Sequence, residues 1–231
     1  MRGRLDAAMS AATVTNSGLA SERVRVRMVD RVRELGVRDA RVLAALAAVP
    51  RHAFVDAALA SRAYDDTALP IGFGQTISQP YIVARCAELA LEGVADAATA
   101  RVLEIGTGCG YAATVFAQVF GKVLSIERIK ALHQFARERL RPLRLPNVHL
   151  LLGDGTAAYA PEAPYDAIIV AAATADVAPA WLAQLKPNGR IVAPIGDADQ
   201  RLTVIQRDAN GRVSRCNVEP VRFVPLRPGV A

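Results

Sequence analysis

Three acidic side chains occur at the ends of apolar runs in the second half of the chain. Glu104 lies two residues before Gly106, Glu127 ends the next apolar run, and Asp154 follows the third. Because the carboxyl ends of parallel strands meet at one edge of a sheet, we expect the three carboxylates to lie close together. Such a site favours a ligand that presents hydroxyl groups, an amine or a positive charge.

A glycine-rich turn follows Glu104 in the sequence GTGCGY. Gly106, Gly108 and Gly110 allow a sharp turn and close approach of a ligand, with the N-terminus of a following helix facing the same place. The dinucleotide fingerprint GxGxxG would need a third glycine where this chain has Tyr111. Glu104 would also repel a pyrophosphate. The turn therefore indicates a ligand other than a dinucleotide.

The two later carboxylates suit the parts of a nucleoside. Glu127 lies 21 positions after Gly106, where an acidic side chain accepts hydrogen bonds from both ribose hydroxyls. Asp154, in the sequence GDG with Gly155, can accept from an exocyclic amine such as adenine N6. A nucleoside with a positive centre and an amino-acid tail fits the whole arrangement. The residues thus predict S-adenosylmethionine as the cofactor.

The stretch PIGFGQTISQPYIVA, residues 70–84, is predicted to be a shaped loop that runs into a helix, since its apolar residues follow no regular period. Ser78 falls at the predicted N-cap of a helix beginning at Gln79-Pro80. Backbone N–H groups at such a position favour an anion. The alternative is that Ser78 only caps its own helix.

The remaining pattern predicts an α/β fold with an N-terminal helical subdomain. Helices are predicted around Met28, Val29, Val32 and Leu35 and again around Val42, Leu43, Leu46 and Val49. Near-continuous apolar runs predict a doubly wound, mostly parallel sheet: RVLEIG, KVLSIE, VHLLLGD, YDAIIVAA and GRIVAPIG. Helices are expected between them at 111–120, 128–141 and 177–185. RLTVIQRD and VEPVRFVPL, joined through ANGR, predict an antiparallel edge hairpin.

Composition limits the domain organisation. With 231 residues and 52% apolar side chains, the chain is predicted to form one core with a small subdomain. We expect a disordered tail over 1–20, the helical subdomain over 21–98 with the loop 70–84, and the Rossmann-like core over 99–231. No apolar run is long enough to predict a membrane span or a signal peptide, so a cytoplasmic protein is expected.

Charge and cysteine usage exclude some function classes. The net charge of +6 comes from basic residues spread through the chain without consecutive runs, which is typical of a solvated surface and predicts no nucleic-acid partner. Cys86, Cys109 and Cys216 are far apart and form no CxxC pattern. They indicate a reducing compartment and no metal site.

Seven motifs, in chain order, carry a resemblance to a known family: VPRHAFV, LPIGFGQTISQPYIVA, VLEIGTGCGY, GDG, APYDAIIVAAA, LKPNGR and VRFVPL. They resemble those of the protein-L-isoaspartate (D-aspartate) O-methyltransferases, over roughly Met28 to Pro228. GQTISQPY is close to diagnostic for this family, and the others are typical of methyltransferases. The resemblance implies a class I S-adenosylmethionine-dependent methyltransferase fold.

The resemblance also implies roles for individual residues. It implies that Ser78 is catalytic and that the substrate-binding residues are Gly74, Gln75, Thr76 and Ile77. It implies that the cofactor-binding residues are Glu104, Gly106, Thr107, Gly108, Gly110, Glu127, Asp154 and Gly155. Three departures from the family pattern lie near the pocket: Cys109, Ala171 and TADVAP.

The implied reaction is protein repair. Methyl transfer to the α-carboxylate of an isoaspartyl residue gives an ester that closes to a succinimide and opens partly to aspartate. The carboxylate is already ionised near neutral pH, so positioning matters more than a strong base. Isoaspartyl proteins and peptides are the implied partners, and a monomer is expected. The alternatives are a methyltransferase for RNA or a small molecule, and a non-catalytic binding module.

Overall fold

The computed structural model describes residues 18–231. Most of the predicted tail, residues 1–17, lies outside the described residues. Residues 18–20, which were predicted to belong to the tail, belong to the first helix. Among the helices of the described chain, none is both long and apolar enough to cross a bilayer.

Six α-helices are present between residues 18 and 231: α1 Gly18–Glu34, α2 Ala40–Ala48, α3 Pro80–Leu91, α4 Tyr111–Ala117, α5 Lys130–Leu140 and α6 Pro179–Ala183. The side chain of Asp39 caps α2 by accepting from the backbone N–H groups of Arg41 and Val42. Leu35 was predicted to lie on the apolar face of α1, but it follows the end of that helix and is 46% exposed.

In the described part of the chain, nine β-strands form a two-stranded hairpin and a seven-stranded sheet: β1 Leu69–Gly72, β2 Gln75–Ile77, β3 Arg101–Ile105, β4 Lys122–Glu127, β5 Val148–Leu152, β6 Tyr165–Val170, β7 Leu185–Ile195, β8 Arg201–Arg207 and β9 Val213–Pro220. The large sheet has the order β5-β4-β3-β6-β7-β8-β9. Strands β3 to β7 are parallel, and β8 and β9 are antiparallel to their neighbours. The predicted doubly wound sheet with an antiparallel edge is confirmed.

The central strands are buried on both faces, which explains their continuous apolar sequence. On one face, Val102 of β3 shares a core with Met28 and Leu46 of the N-terminal helices. On the other face, Leu103 packs in a second cluster with Trp181. The helical part therefore shares a core with the sheet, and the predicted boundary between residues 98 and 99 stays a prediction.

The edge hairpin differs from the prediction in its second strand. Strand β9 begins at Val213, directly after the turn, and ends at Pro220, so most of the predicted run 218–226 leaves the sheet. The reason is that residues 221–226 bond to other elements: the N–H of Val221 donates to the carbonyl of Gln200, and the N–H of Leu226 donates to Ala173. This C-terminal segment crosses the carboxyl edge of the sheet.

The predicted helix over 177–185 is shorter, and the LKPNGR element is mostly strand. Helix α6 ends at Ala183, and β7 begins at Leu185. The register between β6 and β7 shifts between Tyr165 and Ala167, and Asn188 adopts a positive φ of 64° at this irregularity. The other two crossover helices, α4 and α5, also end before their predicted limits.

The stretch at residues 70–84 forms a hairpin and a helix where a loop and a helix were expected. Strands β1 and β2 pair antiparallel with a register shift between Pro70 and Gly72, which explains the missing period of 2. The tip, 72–74, has positive φ at all three residues, and Phe73 is 64% exposed. An added Cβ at Gly72 or Gly74 would meet no atom within 4 Å, so these glycines serve the turn and not close packing.

Candidate active site

A cleft of about 860 Å³, partly open to solvent, lies at the carboxyl edge of the sheet. The strand order reverses here, because β4 and β5 lie on one side of β3 and β6 lies on the other. Four segments supply most of the lining of the cleft: residues 75–78, the glycine turn 105–109, residues 126–129 and the C-terminal segment 224–227. Val83, Tyr111, Ala112, Gly155, Ala171 and Ala172 supply the rest. The hairpin and the glycine turn, distant in sequence, thus face the same cavity.

The glycine turn folds over the end of β4. The N–H groups of Gly106 and Thr107 donate to the carbonyl of Ile126 at 2.8 and 3.2 Å. Gly106, Thr107 and Gly108 line the cleft or its base, as predicted. Gly110 does not line it: its φ is +86°, and a Cβ there would lie 2.6 Å from Leu140 Cδ1, so Gly110 lets α5 pack closely.

Glu127 lines the cleft with a nearly buried carboxylate. One oxygen, Oε2, accepts from the N–H of Gly108 at 2.8 Å, and Oε1 accepts from the N–H of Ile129 at 2.9 Å. Because a carboxylate offers about four acceptor positions, each oxygen keeps capacity for a ligand hydroxyl. Glu127 also holds the glycine turn to the start of α5, a structural role that the sequence did not predict.

Glu104 lies beneath the turn and is not among the residues that line the cleft. Its side chain is fully buried, the Ser125 hydroxyl donates to Oε2, and Oε1 has no protein partner among the described residues. Burial raises the pKa of Glu104 to about 8, with a further contribution from the nearby charge of Glu127. Without a ligand, the neutral carboxyl is therefore favoured, and its predicted contact with a cofactor stays a prediction.

We expect Glu104→Gln to change how stability depends on pH. The raised folded-state pKa means that Glu104 contributes most stability below its unfolded value of 4.5, and that this contribution is lost as pH rises towards 8. Each pKa unit corresponds to about 1.4 kcal/mol. When the pH is raised from 5 to 8, the free energy of unfolding of Glu104→Gln should therefore increase relative to that of the wild type by on the order of 1–3 kcal/mol. Urea denaturation of both ligand-free proteins at pH 5 and at pH 8 measures this difference in the free energy of unfolding. Parallel pH curves for the two proteins would contradict the assignment.

Asp154 is held by the protein itself. Its Oδ1 accepts from the Thr156 N–H at 2.8 Å and the Thr156 hydroxyl at 2.7 Å, and its Oδ2 accepts from the Gly229 N–H at 2.7 Å. It lies outside the residues lining the cleft, whereas Gly155 lines it. A Cβ at Gly155 would lie 2.3 Å from Ile105 Cγ2, so only glycine fits against the end of β3.

Ser78 is not the N-cap of α3, contrary to the prediction. The N-cap residue is Gln79, and the helix begins at Pro80. The N–H of Tyr81 donates to the Asp66 carboxylate at 2.9 Å, so a side chain from a distant turn does the capping. Within the described chain, the Ser78 hydroxyl has no hydrogen-bond partner. The alternative role of Ser78 as a cap is therefore excluded.

A second, smaller cavity, of about 380 Å³ including space open to solvent, is also lined by Ser78. Thr76, Ser78, Ala171 and Val224 line both cavities. Of the predicted substrate-binding residues, Gln75, Thr76 and Ile77 line the main cleft, and Gly74 lines neither cavity. Ser78 thus lies where the two cavities meet. A side chain in this position can contact a group that is transferred from a molecule in one cavity to a molecule in the other.

Two of the three departures from the family pattern line these cavities. Ala171 faces both of them, and Cys109 lies at the cleft with only 2% exposure. The TADVAP segment lines neither, and its Thr174 hydroxyl donates to the Asp176 carbonyl at 2.9 Å.

Cys109→Ser should keep a substantial part of the activity. Burial raises the pKa of the Cys109 thiol, so the thiol stays protonated and is a poor nucleophile. Initial rates with saturating substrates, measured with the folded variant, test this. Complete loss of activity in a variant that still binds cofactor would show that the thiol takes part in the chemistry.

Arg51 is a site-supporting residue that sequence reasoning did not identify. It is fully buried, its Nε donates to the Ala63 carbonyl at 2.7 Å, and its guanidinium lies 4.8 Å from the centre of the Tyr111 ring. Tyr111 follows the glycine turn, while Ala63 precedes the hairpin. Arg51 therefore joins the two parts of the site, and its only sequence signal is the VPRHAFV motif.

The comparisons of the sequence with known proteins identify one family. The model of the family described as Protein-L-isoaspartate(D-aspartate) O-methyltransferase matches residues 23–231. A protein-L-isoaspartate O-methyltransferase from Methylibium petroleiphilum is 54% identical over 220 residues, covering 94% of this chain and 82% of the relative. One from Bordetella avium is 53% identical over 221 residues, covering 95% and 83%.

Solved structures show the same architecture. A structure described as a protein-L-isoaspartate O-methyltransferase has a TM-score of 0.78 at 28% identity, covering 87% of this chain and 65% of that one. A protein of Plasmodium falciparum, in complex with S-adenosyl-L-homocysteine, has a TM-score of 0.76 at 23% identity, covering 88% and 98%. The predicted class I methyltransferase fold is confirmed.

Proposed function

The chain belongs to the protein-L-isoaspartate(D-aspartate) O-methyltransferase family, and we propose that its reaction takes place where the two cavities meet at Ser78. The enzyme transfers a methyl group from S-adenosylmethionine to the α-carboxylate of L-isoaspartyl residues in damaged proteins. The ester then closes to a succinimide, which opens partly to L-aspartate. The position of Ser78, lining both cavities, is the observation that carries the proposed site.

The larger cleft fits the cofactor. Glu127 keeps acceptor capacity for the ribose hydroxyls beside the open turn of Gly106 and Gly108, and the unpaired Oε1 of Glu104 is a buried acceptor beneath that turn. Gly155 leaves room at the opposite wall. When bound, S-adenosylmethionine supplies a methyl group on a positively charged sulfur.

The smaller cavity is the proposed site of the isoaspartyl residue. None of the described residues that line it is His, Cys, Asp or Glu, so no side chain there is suited to act as a strong base. A carboxylate does not need one, because it is already ionised near neutral pH. Ser78 would hold one carboxylate oxygen by a hydrogen bond, and Thr76 and Gln79 would border the substrate chain. Positioning then accounts for most of the rate.

The proposal extends to the oligomeric state, the cellular compartment and the partners of the enzyme. We infer that the enzyme acts as a monomer. Three free cysteines, one of them exposed, support a reducing cytoplasm. The basic residues are spread through the sequence without consecutive runs, which supports damaged proteins and not nucleic acid or membrane surfaces as partners.

Three synthetic peptides test the proposed function: an isoaspartyl peptide, its normal aspartyl twin, and the isoaspartyl peptide with its α-carboxylate replaced by an amide. We expect methyl transfer to the first peptide alone, with the ester at the α-carboxylate. Transfer to RNA or a small molecule, with none to the isoaspartyl peptide, would favour another methyltransferase activity. Absence of cofactor binding in calorimetry would favour a non-catalytic module.

A further inference from the structure

We propose that Arg222 is a substrate-binding residue that pairs with the isoaspartyl carboxylate. The inference rests on the proposed function, which puts that carboxylate in the smaller cavity. Arg222 lines this cavity together with Ser78 and Gln79, and it does not line the cofactor cleft. Arg222 is therefore placed to contact the substrate and not the cofactor.

The backbone on both sides of Arg222 is fixed by Gln200. The N–H of Val221 donates to the Gln200 carbonyl at 3.0 Å. The Gln200 side chain accepts from the N–H of Phe223 at 2.6 Å and donates to the Phe223 carbonyl at 3.2 Å. These three bonds hold the segment although it belongs to no strand, so Arg222 starts from a fixed backbone position.

The segment is also fixed on its C-terminal side, at the end of β6. The Ala173 N–H donates to the Val224 carbonyl at 2.8 Å, and the Leu226 N–H donates to the Ala173 carbonyl at 2.7 Å. Ala171, two residues earlier, lines both cavities opposite this segment. The wall that carries Arg222 therefore has a defined position relative to the place where the cavities meet.

Charge identifies the kind of group that Arg222 would bind. Among the described residues, its guanidinium forms no ion pair, whereas Arg190 pairs with Glu92 at 2.6 Å and Arg215 pairs with Asp176 at 2.7 Å. Arg222 is also the one charged residue among the described residues that line the smaller cavity, and it is exposed. A guanidinium matches a carboxylate in charge and in its paired donors. A carboxylate is thus the complementary occupant.

The reaction removes the charge that Arg222 recognises. A new bond forms between a carboxylate oxygen and the methyl carbon, the carbon–sulfur bond breaks, and its electron pair stays on sulfur. No proton moves, and the carboxylate becomes a neutral ester. Arg222 therefore binds the substrate more tightly than the product, which favours release of the ester for succinimide formation.

The test compares Arg222→Gln with Arg212→Gln, a matched control that removes an equal charge in an exposed turn remote from both cavities. We expect Arg222→Gln to raise KM for the isoaspartyl peptide roughly 10- to 100-fold, because a hydrogen bond to a charged group is lost. The fall in kcat should be smaller, and Kd for S-adenosyl-L-homocysteine should stay within about twofold. Arg222→Lys should recover part of the affinity.

Salt dependence gives a second measurement. KM of the wild type should rise with ionic strength, and this rise should be weaker in Arg222→Gln but not in Arg212→Gln. An active wild type with equal KM values for the two glutamine variants would overturn the role of Arg222 and leave the proposed function intact. Inactivity of the wild type on the isoaspartyl peptide would overturn the proposed function itself and this inference with it.

Discussion

Replacing Ser78 by alanine should lower the rate of methyl transfer by roughly 30- to 1,000-fold, which corresponds to about 2–4 kcal/mol of transition-state stabilisation. The hydroxyl has no protein partner in the described chain and lies where both cavities meet, so it is available to the substrate. The variant lacks one oriented hydrogen bond to a charged group. Single-turnover rates with a saturating isoaspartyl peptide measure the effect.

The structure makes this prediction sharper. Because Asp66 bonds to the Tyr81 N–H at the start of α3, Ser78→Ala removes no helix cap, and thermal stability should be unchanged. Cofactor affinity should also change little. Ser61→Ala, an exposed serine outside both cavities, is the matched control. Near-normal turnover by Ser78→Ala would remove Ser78 from the chemistry.

Replacing Glu127 by alanine should weaken cofactor binding by roughly 10- to 100-fold. Hydrogen bonds to a charged group contribute about 1.5–3 kcal/mol, and the ribose hydroxyls would lose theirs. The variant also loses the bonds to the N–H groups of Gly108 and Ile129, which hold the turn in place. Titration calorimetry with S-adenosyl-L-homocysteine measures the change.

Thermal denaturation without ligand separates the two roles of Glu127. The lost bonds to Gly108 and Ile129 predict lower stability even before cofactor is added. Glu127→Gln, which keeps one acceptor oxygen, should lose less affinity than the alanine variant. An unchanged dissociation constant in Glu127→Ala would exclude Glu127 from the cofactor site, whatever happened to stability.

The strands of the parallel part of the sheet were predictable because burial on both faces leaves a clear apolar pattern, as in β3 and β4. The position of Glu127 at a strand end was predictable for the same reason. Its bonds to backbone N–H groups were not, since the conformation of the glycine turn determines them. The apolar pattern of the sequence thus identified the residues at the carboxyl ends of the strands, and with them the edge of the sheet that carries the site.

Contacts between distant segments account for what the sequence did not reveal. Ser78 resembles a helix cap locally, but Asp66 provides the acceptor from another turn. Asp154 bonds to Gly229, 75 positions away, and Gln200 fixes the segment around Arg222. Glu104 is fully buried and accepts from Ser125 of the neighbouring strand β4. Such partners depend on tertiary packing, which periodicity and spacing do not encode.

A crystal structure with S-adenosyl-L-homocysteine and an isoaspartyl peptide tests the central claim most directly. The account predicts the nucleoside in the cleft beside Glu127, with the isoaspartyl carboxylate in the smaller cavity near Ser78 and Arg222. The cofactor sulfur should face that carboxylate through the space bordered by Ala171 and Val224. A carboxylate bound outside the smaller cavity, with Ser78 touching neither molecule, would contradict it.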